Sequence, residues 1–158
     1  MQKITPFLWF DGDAEEAAKF YVSIFSNAKI THVTPGPDNK TMWLSFDLEG
    51  QTFYALNGGP QFKFTEAISF FVECGDQAEV DKFWDTLSSN GGSEGQCGWL
   101  KDKFGISWQI VPKALSESLA KDNSGNVMQA MLKMKKLIVS DLEKAVVSYE
   151  DIEGIINL

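Results

Sequence analysis

Five side chains in this sequence have the chemistry to hold a small organic molecule: Tyr54, Ser69, Phe71, Trp99 and Gln109. Phe71 and Trp99 offer flat apolar walls, and the other three bring hydroxyl or amide groups that fix orientation. That mixture suits a planar ligand better than a sugar or a polyanion. Strand alternation singles out Ser69, Phe71 and Gln109. Over 106–111, Ile106, Trp108 and Ile110 share one face, and Ser107, Gln109 and Val111 share the other. Over 67–73, Ile68, Phe70 and Val72 oppose Ala67, Ser69, Phe71 and Glu73. The wholly apolar faces are expected against helices and the mixed faces around a cavity. Gln109 is then predicted to face that cavity, with Ser69 and Tyr54 on neighbouring strands. The competing reading keeps Ser69 and Gln109 as ordinary polar residues on a half-exposed antiparallel sheet.

Nucleophilic chemistry has one candidate, Cys97, which sits beside Gly98 and Trp99 with Lys101 and Lys103 close by. A reactive thiolate wants a base, and the chain holds a single histidine, His32, in an expected edge strand. His32 reads as a surface residue, and a plain buried Cys97 is the competing reading. Lys133, Lys135 and Lys136 read as a solvated helix face.

Composition narrows the partners. The net charge of −8 disfavours nucleic acid, which requires a clustered positive surface. No apolar run is long enough for a membrane span, and the first residues lack the regions of a secretion signal. Two cysteines, Cys74 and Cys97, are too few for a disulfide scaffold, so a reduced cytoplasmic setting is expected. With 44% hydrophobic residues in 158, the chain can bury a core of ordinary domain size.

What must position these residues is written twice. Gly12-Asp13 returns as Gly75-Asp76 at an offset of 63, and Glu16, Lys19, Phe20 and Tyr21 return as Glu79, Lys82, Phe83 and Trp84. Ser26-Asn27 returns as Ser89-Asn90 in the same register. Each block reads as a strand, a Gly-Asp turn, an amphipathic helix and then further strands. The first unit is assigned to 1–60, with strands at 4–10, 29–34, 42–48 and 52–56 and a helix at 14–26 capped by Asp13. The second is assigned to 61–113, with strands at 67–73 and 106–111, one or two short strands in 94–101, and a helix from Asp76 to 89. A docked helical tail fills 114–158, with helices at 115–121, 126–136 and 140–148, the last capped by Ser140 with Glu143 completing a capping box. Val127, Met131, Met134, Leu137 and Ile138 make this tail apolar enough to predict a homodimer sharing units or tail helices.

Particular strings carry a resemblance. They include Ala14-Glu15-Glu16-Ala17, Ala55-Leu56-Asn57-Gly58-Gly59-Pro60, Phe62-Lys63-Phe64 and Glu66-Ala67-Ile68-Ser69-Phe70. The run from Gly95 to Gly105, then Ser107-Trp108-Gln109, and Ala130-Met131-Leu132-Lys133-Met134 extend it over nearly the whole chain. Together they resemble the PhnB-like family, often named 3-demethylubiquinone-9 3-methyltransferase, of the vicinal oxygen chelate or glyoxalase-fold superfamily. The resemblance implies an α+β glyoxalase-like fold: two β-α-β-β-β units forming a concave mixed sheet, with a helical C-terminal tail. It also implies a dimer.

Metal-dependent relatives in that superfamily place His or Glu at one central position on each of four strands. Carried over, these positions fall near Pro6, Tyr54, Ala67 or Ser69, and Gln109. None offers an imidazole or carboxylate, so no metal is expected. The common methyl-donor site uses a Gly-rich turn between a parallel strand and a helix. Asn57-Gly58-Gly59-Pro60 precedes another strand and Asn90-Gly91-Gly92 follows a helix, so both read as turns and no cofactor is expected. The sequence is therefore read as a metal-free protein binding a small planar molecule in its concave sheet. The alternatives are an enzyme acting on a quinone-like substrate, as the family name implies, and a dimeric module without pocket chemistry.

Overall fold

The computed structural model describes residues 2–156. The chain divides into two compact units, residues 1–64 and 65–158. In the first, β1 (Phe7–Phe10), α1 (Ala14–Ile24), β2 (Ala28–Pro35), β3 (Thr41–Leu48) and β4 (Gln51–Asn57) follow in order. Their sheet runs β1-β4-β3-β2, with β1 parallel to β4 and the other pairs antiparallel. The second unit repeats this with β5 (Phe70–Cys74), α2 (Gln77–Leu87), β6 (Ser93–Glu94), β7 (Trp99–Lys101) and β8 (Ser107–Pro112). Its order is β5-β8-β7-β6, and β5 is parallel to β8. Each unit is thus a β-α-β-β-β module, and the fold is the expected α+β glyoxalase-like one. No helix among the described residues is long and apolar enough to cross a membrane.

Apolar spacing explains both module helices. Ala14, Ala17, Ala18, Tyr21 and Ile24 are buried along α1, and Val80, Phe83, Trp84 and Leu87 along α2. The two starts differ, however. Asp76 caps α2 by accepting from the Glu79 amide at 2.9 Å. Asp13 makes no such bond, contrary to expectation. Instead Asn57 Oδ1 accepts from the Ala14 amide at 2.9 Å, while its Nδ2 donates to the Thr41 carbonyl at 2.8 Å. The glycine after it, Gly58, is required by a close approach: a Cβ there would meet the Trp9 ring at 2.3 Å.

The duplication carries a one-residue deletion. Phe7 stands opposite Tyr54 across β1–β4, and Phe71 stands opposite Gln109 across β5–β8, so the first strands align at an offset of 71 − 7 = 64. The helices align at 76 − 13 = 63, because three residues join β1 to α1 and two join β5 to α2. A strand over 67–73 is also corrected: β5 begins at Phe70, leaving Ala67 and Ser69 ahead of it and Ile68 64% exposed. The segment before it divides as well. Phe62 packs edge-on to Trp9 and Phe64 edge-on to Phe10, both within the first unit.

Trp108 and Ile110 are buried in the second unit's core, and Gln109 lies on the other face of β8. Asp102 sets this arrangement. Its Oδ1 accepts from the Phe104 and Ile106 amides at 2.8 and 3.0 Å, and its Oδ2 accepts from Trp108 Nε1 at 2.9 Å. At 2% exposure, this carboxylate gathers three donors, two of them buried, into one rigid turn ahead of β8.

The tail is α3 (Lys113–Lys121), α4 (Asn126–Leu132), α5 (Val139–Lys144) and α6 (Tyr149–Ile156). Val111, Val127, Leu137 and Leu142 form its core, joined by Leu115, Leu119, Met131 and Met134. Each fully buried aliphatic side chain there stabilises docking by about 1.5–3 kcal/mol. The apolar residues that suggested sharing between chains are thus largely covered by the chain's own second unit. Helix α4 stops at Leu132 instead of continuing to 136, because the next backbone groups serve the turn ahead of β7. The Met134 and Lys135 carbonyls accept from the Cys97 and Gly98 amides at 2.8 Å each. Lys136 is accordingly no free helix face, but pairs with Asp81 at 3.0 Å and Asp85 at 3.8 Å. Ser140 lies inside α5, whose cap position is Ile138, and α6 is an element that the sequence reading did not anticipate.

Two outcomes follow from these hydrogen bonds. Asp102→Ala removes the carboxylate that accepts from the Trp108 indole and two amides, and should cost about 3 kcal/mol or more in urea unfolding. A loss below about 1 kcal/mol would contradict the role given to Asp102. The second outcome concerns Asp122, which accepts from the Ser124 hydroxyl and from the Val147, Val127 and Ser124 amides. The Ser124 hydroxyl first, then those amides, hold its carboxyl well below the ordinary 3.8. A depressed folded value means the stabilisation is complete above pH 3.8 and is lost as the pH falls through the folded value. Hydrogen exchange should show Val127 and Val147 losing protection on acidification to about pH 2 before the β8 amides do. Equal loss in both places would refute a local latch.

Candidate functional site

The second unit's sheet places Phe71, Gln109 and Trp99 side by side on one face, one from each of β5, β8 and β7. Gln109 is the middle residue of the three, directly paired with each neighbour. They line a cavity of about 280 Å³ together with Glu73, Cys97, Val111 and Pro112 from the same unit's strands and turns. The rest of the lining is tail: Lys113, Leu115, Ser116 and Leu119 of α3 and Met131 of α4. Phe71 is 59% exposed, so it is an open wall and not a core residue.

Ser69 reaches the site although it precedes β5. Its Oγ accepts from Gln109 Nε2 at 2.9 Å, which holds the carboxamide in place. Gln109 Oε1 takes no hydrogen bond among the described residues and is able to accept one from a ligand. Glu73 and Lys113, both exposed, add opposite charges at the rim. Sequence reasoning missed them, together with the whole tail wall. Glu73 was visible in the alternation of 67–73, whereas the tail residues carried no signal beyond helical spacing.

Tyr54 belongs to the first unit and to a different feature. Phe7, Tyr54, Trp43 and His32 stand on successive strands as an aromatic stripe, with ring centroids 5.9, 5.7 and 5.4 Å apart in turn. All contacts are edge-on or tilted, the arrangement that ring quadrupoles favour. His32 closes this row of rings at β2 and also bonds Thr34 Oγ1 at 2.9 Å. Phe7 and Trp43 went unnoticed in the sequence, where 4–10 reads as an apolar strand and 42–48 as one alternating apolar with polar.

The two thiols have different settings. Cys74 is buried at the end of β5, and burial, followed by the charges of Glu79 and Asp76, pushes its pKa up to about 12. Such a thiol is a core residue and no nucleophile at neutral pH. Cys97 is partly exposed and lines the cavity, its backbone amide held by the Met134 carbonyl.

A divalent metal finds no fit at the four positions that the resemblance indicated. Pro6 precedes β1, and Ala67 and Ser69 precede β5. Tyr54 and Gln109 lie within β4 and β8 but offer only a phenol and an amide. Among the described residues, no three His, Cys, Asp or Glu side chains converge as a metal-holding group.

Known proteins extend this picture. The family model described as 3-demethylubiquinone-9 3-methyltransferase matches residues 2–111, which stops just before α3. A Bacillus cereus PhnB protein that carries the same description is 33% identical in sequence, with a TM-score of 0.66, and the match covers 70% of this chain and 99% of that one. Two more distant structures share the fold. A Pseudomonas aeruginosa protein is 18% identical with a TM-score of 0.60, the match covering 71% of this chain and 98% of its own. A fosfomycin resistance protein of Listeria monocytogenes is 16% identical with a TM-score of 0.56, covering 75% and 96% respectively. No curated protein matches. The family match spans both β-α-β-β-β units to the next-to-last residue of β8, and with it this chain belongs to the PhnB-like, 3-demethylubiquinone-9 3-methyltransferase family of the glyoxalase-like fold.

Proposed function

We propose that the second unit's cavity binds a small planar organic molecule without the help of a metal. The observation that carries this reading is Gln109 between Phe71 and Trp99, three neighbouring strands presenting one amide between two aromatic side chains. Flat rings pack against such walls, and the amide oxygen accepts from a ring hydroxyl. A cavity of about 280 Å³ is at the small end of ligand sites, which suits one or two fused rings. The family description adds a chemical direction, since a quinone-like ring and its hydroxylated forms are planar molecules of this kind.

The test is calorimetric titration with 2-naphthol, in protein treated with a chelator and in untreated protein. Gln109→Leu should weaken binding by about 1–3 kcal/mol, as expected when a buried polar partner is lost. It should leave stability nearly unchanged, because the side chain faces a cavity, and chelation should not alter the affinity. Binding that needs added metal, or that ignores Gln109→Leu, would overturn the reading.

We also propose a homodimer, on residues other than those first suspected. Met128 and Leu132 of α4 and Tyr149, Ile155 and Ile156 of α6 are exposed by 44–75%. Apolar area of this extent on one tail supports self-association. Sedimentation at micromolar concentration should give twice the mass of one chain; a single-chain mass would refute it.

A further inference from the structure

The cavity is finished by a segment that the family match does not reach. Residues 2–111 account for Phe71, Glu73, Cys97, Trp99, Gln109 and Val111, while Leu115, Ser116 and Leu119 of α3 and Met131 of α4 lie beyond. These tail residues are not loosely placed. Leu115, Leu119 and Met131 pack on the fully buried core of Val127, Leu137 and Leu142. The tail backbone is then fastened to the sheet at Cys97 and Gly98, two residues before β7. Gln77 adds a second fastening, donating to the Leu137 carbonyl at 3.1 Å and accepting from the Val139 amide at 2.7 Å.

At Gly98 the fastening tolerates no other residue. Its φ of +84° belongs to the left-handed region, and a Cβ would meet the Ile110 carbonyl at 2.8 Å and Leu137 Cδ1 at 3.0 Å. The tail wall is therefore held in register with β8, the strand that carries Gln109.

We propose that Leu119 and Met131 determine specificity by setting how large a ring system the cavity admits. This rests on the binding reading above and adds to it a size limit imposed from the tail. Met131 is the adaptable member, with an unbranched side chain shared between the tail core and the cavity. Leu119 is the fixed member, on the same α3 face as Leu115 and one turn further along.

The experiment uses the full chain and two probes, 2-naphthol with two fused rings and 2-anthrol with three. Removing the tail would expose its core, so two point variants are used instead. Leu119→Trp fills the cavity and should weaken 2-naphthol binding by roughly tenfold or more, with cooperative thermal unfolding retained. Met131→Ala enlarges it and should shift the 2-anthrol to 2-naphthol affinity ratio roughly tenfold towards the larger probe. An unchanged ratio in Met131→Ala, with undiminished 2-naphthol binding in a folded Leu119→Trp, overturns the tail wall while leaving the binding reading intact. If the wild-type protein binds neither probe, the binding reading fails and the wall fails with it. A Leu119→Trp variant that does not fold leaves the Met131→Ala ratio to decide alone.

Discussion

The buried Asp102 carboxylate governs the face that β8 shows to the cavity. A strand has two faces, and a slip of one residue would exchange Trp108 for Gln109. Hydrophobic burial alone favours placing the indole inside, but an indole N–H inside needs an acceptor. Asp102 supplies it at 2.9 Å and, through two further amide contacts, shapes the turn that leads into the strand. With Trp108 fixed in the core, Gln109 has only the opposite face available. Its neighbours in the ladder, Phe71 and Trp99, then follow from pairing geometry.

From that fixed strand the rest of the site is built in two stages. The sheet supplies the polar centre and the aromatic walls, and the tail supplies the aliphatic remainder. Backbone contacts at Cys97 and Gly98 couple the two stages, so that a wall made of helices keeps pace with a floor made of strands. The first unit has the same strand order and the same parallel pair but fills the equivalent face differently. Where the second unit presents Gln109 opposite Phe71, the first presents Tyr54 opposite Phe7 and extends the row with Trp43 and His32. Duplication has preserved the ladder and diversified the face.

Much of this was legible because it follows period and composition. The repeat of Gly12-Asp13 as Gly75-Asp76, the burial stripes of α1 and α2, and the alternation along β8 all express local rules. The misses have a common cause, which is that the deciding partner lay far along the chain. Asp13 resembles a cap, yet Asn57, over forty residues later, reaches the Ala14 amide. Residues 133–136 carry a good helical pattern, but Cys97 and Gly98 claim the carbonyls that a helix end would otherwise leave open. The tail wall was invisible for the same reason: helical spacing tells which face is apolar and not which cavity it closes.

The central claim is that a planar molecule lies against Gln109 with the tail as its opposite wall. It is tested most directly by nuclear Overhauser contacts between bound 2-naphthol and protein labelled at Met methyl groups and Gln side-chain amides. The account predicts contacts from the ring protons to the Met131 methyl and to the Gln109 amide in the same complex. Contacts confined to Met42 or Met128, or ring contacts that leave both Met131 and Gln109 untouched, would contradict it.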